Sequence, residues 1–325
     1  MIVARPSERP SYPLHLTARG TGGPVEAARH TLEQLPGSRG FARDLEAAIV
    51  WLGSRGVRVE NTRFDLGLRE IHDILSTPDA PDDPKCLRVL EALESGGELI
   101  EVHRGLGGVD SKEFRDRLKR FVKGTYFQRE ERPASSSNRA RNTGFELFFG
   151  ARLAQAKFGV CLPAGRDLEV PMPLIRIECK RPQNHRGVEG ALKDARDQLL
   201  DHDSSCPAIN MIALSVGKVL HRGTHCVLLR DPEGAQVEFS RLIDGFVEQH
   251  QNTWREESFQ HVAGIWLSYS GTAVFANPKA LVRATFDRIV VRPQAGAPER
   301  EAVLQIIGQG LNPLMGLRAF LPSAR

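Results

Sequence analysis

The residues best suited to chemistry lie in one stretch, GRDLEVPMPLIRIECKRP at positions 165–182. Side chains of a strand alternate between its faces, so over 174–180 Ile175, Ile177 and Cys179 point one way and Arg176, Glu178 and Lys180 the other. A carboxylate and an amine therefore emerge side by side from a strand whose opposite face is apolar. A second strand, 167–170, precedes it, and a hairpin folded about Pro171-Met172-Pro173 sets Asp167 across from Glu178, with Cβ atoms about 4.5–5.5 Å apart. Pro173 argues against a tight primed turn and for a wider loop. Two carboxylates at that separation repel each other unless a cation lies between them, and hard oxygen donors favour Mg²⁺, with Mn²⁺ as a substitute.

Other elements must hold these groups. Residues 1–40 are rich in Gly, Pro and Arg, with no helical or strand periodicity. Apolar positions then recur at helical spacing over 41–53, 66–75 and 86–93, and GLGG at 105–108 breaks the chain. Asp110 and Glu113 fit a capping box for a helix running to about Lys123. The segment REERPASSSNRAR, 129–141, is almost free of apolar residues. The expected organisation is a mainly helical domain over 1–130, a linker over 131–141 and an α/β (α+β) domain over 142–325. In that second domain a helix over 144–158 precedes strands at 159–162, 167–170 and 174–180. An amphipathic helix over 187–202 and a buried strand over 209–216 follow, so the order is αβββαβ around a mixed sheet. Further strands are expected at 226–229, 262–267, 273–275 and 289–291, with a helix over 239–249.

This arrangement resembles the PD-(D/E)XK nuclease superfamily, the restriction-endonuclease-like fold. In that family an acid opens the second strand of the hairpin unit and a (D/E)-x-K tripeptide ends the third, which matches Asp167 and Glu178-Cys179-Lys180. Three such tripeptides occur in the chain, and only this one ends an apolar strand, follows an acid-bearing strand and precedes an amphipathic helix. Gly165-Arg166 stands where the family's signature proline would precede the aspartate. The resemblance covers about 141–216. It implies a Mg²⁺-dependent phosphodiesterase acting on nucleic acid, DNA before RNA and endonuclease before exonuclease, with Asp167, Glu178 and the Cys179 carbonyl holding the metal and Lys180 assisting the attacking water. The helix before the strands often supplies another acid in that family, which matches Glu146 as a metal ligand or catalytic acid. Thr143-x-x-Glu146 also fits a capping box, and both readings of Glu146 stand open. Gln198 and His202 are similar to the Gln-x-x-x-Tyr element of one exonuclease branch. The alternative function is a catalytically inactive nucleic-acid-binding or partner-docking protein on the same fold.

Charge adds a candidate contact surface. The whole chain carries +4, yet 111–141 holds ten Lys and Arg against four Asp and Glu, an excess larger than that of the whole chain. A local basic block in a near-neutral protein points to an anionic partner. Within it Lys112, Arg115, Lys119 and Lys123 fall on one helical stripe, and Lys193 and Arg196 on the later helix are further candidates for phosphate contact. The N-terminal helices also offer a surface for a second copy or a protein partner. Five widely spaced cysteines without a C-x-x-C pair read as reduced thiols, which disfavours a disulfide framework and a structural zinc site. His221, His225 and Cys226 lack an obvious fourth zinc ligand. GLGG lacks the Gly-Lys-Ser/Thr of a phosphate-cradling loop. No apolar stretch is long enough to span a bilayer and the N-terminus has no secretory core, so a cytoplasmic protein without membrane contact is expected.

Overall fold

Helix α1 (Arg39–Ser54) opens the computed structural model, which describes residues 39–76, 83–127, 130, 136–201, 208–221, 227–229, 232–276, 279–291, 298–311 and 316–321. It is followed by α2 (Arg63–Ser76), α3 (Asp83–Leu106), α4 (Lys112–Phe121) and α5 (Ser136–Gln155). The sheet region then reads β1 (Leu168–Pro171), β2 (Leu174–Lys180), α6 (Arg186–Leu200), β3 (Ile209–Ser215), α7 (Gly217–His221), β4 (Val227–Leu229) and α8 (Pro232–Arg255). β5 (Val262–Ala276), β6 (Lys279–Val291), α9 (Pro298–Leu311) and β7 (Gly316–Leu321) complete it. The fold is α/β, with a mostly helical N-terminal region and an open mixed sheet. Its strand order is β1-β2-β3-β5-β6-β7, with β4 beside β5. The β2-β3-β5 run is parallel, while the β1-β2, β5-β6 and β6-β7 pairs are antiparallel.

Each face of the sheet has its own apolar core. On one face Ile175, Ile177, Cys179, Met211, Ala213 and Trp266 share a cluster with α1–α5, through side chains such as Leu52, Phe64, Leu93, Phe114 and Phe149. On the other, Ile212, Leu214, Ile265 and Leu267 meet α6 and α8, where Val188, Leu192, Ala195 and Leu199 form the apolar stripe of α6. The N-terminal helices are thus not merely attached to the sheet. They cover it.

Several expected elements change shape. α3 continues past residue 93 through Ser95, Gly96 and Gly97 to Leu106, with Gly96 packed so that a Cβ there would lie 3.0 Å from Leu45 Cδ2. A Cβ on Gly105 would lie 2.2 Å from the Ala151 carbonyl oxygen, so the glycine allows α3 and α5 to touch. Ser111, not Asp110, caps α4, its hydroxyl accepting from the Phe114 N–H at 3.1 Å. α5 starts at Ser136, so 136–141 is helix rather than linker. Arg141 there is buried, donating to Ser95 Oγ at 3.0 Å. The expected strand at 159–162 is reduced to a single bridge, Cys161 with Glu169. The expected wider hairpin loop is instead a two-residue turn, Met172 and Pro173, joined by a cis peptide. The two short strands expected at 262–267 and 273–275 are one continuous strand, in whose middle Ser268 and Thr272 are buried and Ser270 half-buried. Among the described residues, no helix is long and apolar enough to cross a membrane.

Candidate functional site

The β1-β2 hairpin has the register the sequence implies: Leu168 pairs with Ile177, Glu169 with Arg176 and Val170 with Ile175. One step further, Asp167 falls opposite Glu178. β1 is the edge strand and stops four residues long, whereas β2 continues to Lys180, so the end of β2 projects beyond its neighbour. In that notch the Cys179 N–H donates to Asp167 Oδ2 at 2.7 Å, an edge contact that main chain would otherwise supply. Glu178 and Lys180 share the α6 face of the sheet with Ile212 and Leu214, their partners on parallel β3. Contrary to an open polar face, Arg176 and Glu178 are both buried.

Lys180 Nζ lies 3.5 Å from Glu178 Oε2 and donates to Gln198 Oε1 of α6. Gln198 therefore belongs to this site. Lys193 and Arg196 are engaged elsewhere on α6: Lys193 pairs with Glu189 at 2.6 Å, and Arg196 pairs with Asp197 and lies over the Phe259 ring. His202, His225 and Cys226 lie outside the described residues, and of His221 only the backbone is described.

Glu146 arrives from the opposite layer. With α5 starting at Ser136, Thr143 and Glu146 sit well inside the helix, which removes the capping-box reading of Glu146. Its Oε2 accepts from Arg117 at 3.1 Å. Burial and the nearby Asp167 charge push the Glu146 carboxyl up to about 7, against the pull of Arg117, Arg120 and Lys180. Burial, the Asp167 charge and a hydrogen bond between the two carboxyls push Glu178 up to about 8, against Lys180. Glu146, Asp167, Glu178 and Lys180 thus sense one another from α5, the loop before β1 and the end of β2. The Cys179 thiol is buried and pushed well up by burial and by these carboxylates, so it stays protonated. Any metal contact at this position falls to its carbonyl.

Among the described residues, no group of three or more His, Cys, Asp and Glu closes on a common point as a ready metal cage. Each carboxylate has an oxygen engaged by protein: Asp167 by the Cys179 N–H, Glu146 by Arg117 and Glu178 by Lys180. The donor atoms are oxygens, the type that hard divalent ions take, and burial with mutual repulsion keeps protons on Glu146 and Glu178 that such an ion would have to displace.

The residue missed in the sequence is Arg117, which is buried on α4. Its guanidinium donates to Glu146 Oε2, to the carbonyls of Asp167 (2.6 Å) and Pro163 (2.9 Å), and to that of Arg166. A signal was present: Arg117 borders the apolar run Phe114, Leu118 and Phe121, where a charge must find partners. Lys112, Arg115 and Lys119 are exposed and point about 150° around the helix from Arg117, away from the carboxylates, while Lys123, expected on the same stripe, is exposed in the turn after the helix ends at Phe121. Arg115 pairs with Asp110 at 3.3 Å and Lys119 with Asp116 at 3.6 Å. Arg120, one turn from Arg117, is exposed, and its charge reaches Glu146.

No protein-family model matches the chain, and the comparison with curated proteins found no match to its sequence.

Proposed function

We propose that the chain is a divalent-metal-dependent phosphodiesterase acting on DNA, with a restriction-endonuclease-like core formed by α5, β1, β2, α6 and β3. The observation that carries this reading is the convergence of Asp167, Glu178 and Lys180 at the projecting end of β2 with Glu146 from α5. Glu146, Asp167, Glu178 and the Cys179 carbonyl would hold the ion, which lowers the pKa of a water and offsets negative charge on the phosphate. Lys180, held by Gln198, orients the attacking water and balances charge in the transition state. Arg120 stands at the edge of the acidic cluster as a phosphate contact, and the outer stripe of α4 supplies general attraction for a polyanion.

Cleavage of linear, circular, single-stranded and double-stranded DNA, and of RNA, with Mg²⁺, Mn²⁺ or EDTA tests the reading. Metal-dependent cleavage that disappears in Lys180→Ala supports it. Salt-sensitive binding without cleavage in any metal would instead make the chain a nucleic-acid-binding module.

A further inference from the structure

We propose that Arg117 is a positioning residue for the Asp167 site, acting through the main chain of the loop before β1; this deepens the phosphodiesterase reading and rests on it for the link to catalysis. The loop over 163–167 has little regular structure of its own to hold it. It turns at Gly165 with φ +77°, and β1 begins only at Leu168. Three of its carbonyls, those of Pro163, Arg166 and Asp167, converge on one guanidinium. The same guanidinium takes Glu146 Oε2 from α5. Arginine suits this task because its planar fork offers five donors in fixed directions, whereas a lysine ammonium is a point charge on a flexible stem.

The placement of Asp167 has its own reporter. Its Oδ2 accepts the Cys179 N–H at 2.7 Å, so the exchange rate of that amide reads where the carboxylate sits. Arg117 therefore ties the helical layer to the one acid that bridges Glu146 on one side of the sheet and Glu178 on the other.

Arg117→Met and Arg117→Lys in the full chain test this, with Arg69→Met as a surface-arginine control on α2. The expected result for Arg117→Met is Cys179 amide exchange faster by about tenfold or more, while the β3 amides of Ile212 and Leu214 keep their protection. In the same variant kcat for metal-dependent DNA cleavage should fall by ~10²-fold with KM little changed, the size expected when a reacting group is misplaced by about 1 Å. Arg117→Lys should recover part of both effects, and Arg69→Met should show neither. Unchanged Cys179 protection in a folded Arg117→Met overturns the proposal. So does equal acceleration at Cys179, Ile212 and Leu214, which would make Arg117 a general stabiliser. If wild type cleaves nothing in any metal but Cys179 exchange still responds selectively, the phosphodiesterase reading fails and the positioning role stands.

Discussion

Two charges of helix α5, Glu146 and Arg152, enter two different clusters, and their contrast separates architecture from chemistry. Arg152 forms a fork with Asp287 of β6, at 3.0 Å for one of its two contacts, and both side chains are buried. The Ser268 hydroxyl lies 3.4 Å from it, and Arg283 alongside takes Ser270 Oγ at 2.9 Å. Both guanidinium groups lie over the Phe148 ring. The two terminal nitrogens of Arg152 each meet a carboxylate oxygen of Asp287, as a pair that joins a helix to a sheet requires. Glu146, six residues earlier, enters a cluster of the opposite kind. There three carboxylates face Arg117 and Lys180, and two of the carboxyls are pushed up to about 7 and about 8. A group of like charges kept close together against its own repulsion is costly to stability and so points to a task other than stability.

The first way to break this comparison is to treat the two clusters alike. Arg152→Met should destabilise the chain by about 3–5 kcal/mol, because it strands Asp287 in the core. It should leave activity per folded molecule unchanged, as measured by denaturant unfolding beside a cleavage assay. Asp167→Asn and Lys180→Ala should do the reverse, cutting cleavage by about 10²–10³-fold with melting behaviour retained. Asp167→Asn should also weaken Mn²⁺ binding in a titration, and Lys180→Ala should not. Glu169 is not a neutral control for these variants, since it pairs with Arg166 and lies 3.6 Å from Arg176.

A pH series sharpens the contrast. Glu146 and Glu178 have folded-state values raised above their ordinary 4.5, so the folded state binds more protons than the unfolded one between these limits. Their contribution to stability is fully present below about 4.5 and is lost as pH rises through about 7 and about 8. The metal-free melting temperature should therefore fall across that window, and Glu178→Gln should flatten the fall while leaving the value at pH 4.5 nearly unchanged. Added Mg²⁺ should raise the melting temperature more at pH 8 than at pH 5, because ionised carboxylates bind it.

The smallest expected effects lie on α4 and the turn that follows it. Neutralising Lys112, Arg115, Lys119 and Lys123 together should flatten the log–log salt dependence of duplex binding by at most about 3–4 and leave kcat alone. Arg120→Gln should remove about one unit of that slope yet raise KM for cleavage, because it alone of these cations borders the acids. A stripe variant that lowers kcat would show that the outer face of α4 approaches the reacting phosphate after all.

The hairpin register was legible in the residues themselves. Strand alternation placed Glu178 and Lys180 on one face, and the turn residues set Asp167 opposite Glu178, because short-range geometry alone decides such pairings. The stripe of α6 was equally legible, since Val188, Leu192, Ala195 and Leu199 repeat at helical spacing. The polar middle of β5 was not, because Ser268, Ser270 and Thr272 read as a break unless the arginines that meet Ser268 and Ser270 from other elements are known. Glu146 was ambiguous for the same kind of reason: only the start of α5 at Ser136 settles that it is no helix cap. Arg117 stands 50 residues from Asp167 and 29 from Glu146, and its side chain is buried against groups no local pattern connects. Residue type and spacing therefore determined which groups could react and which strand presents them. Packing of the helical layer onto the sheet decided how those groups are buried, charged and held, because burial and long-range contact are properties of the folded chain as a whole.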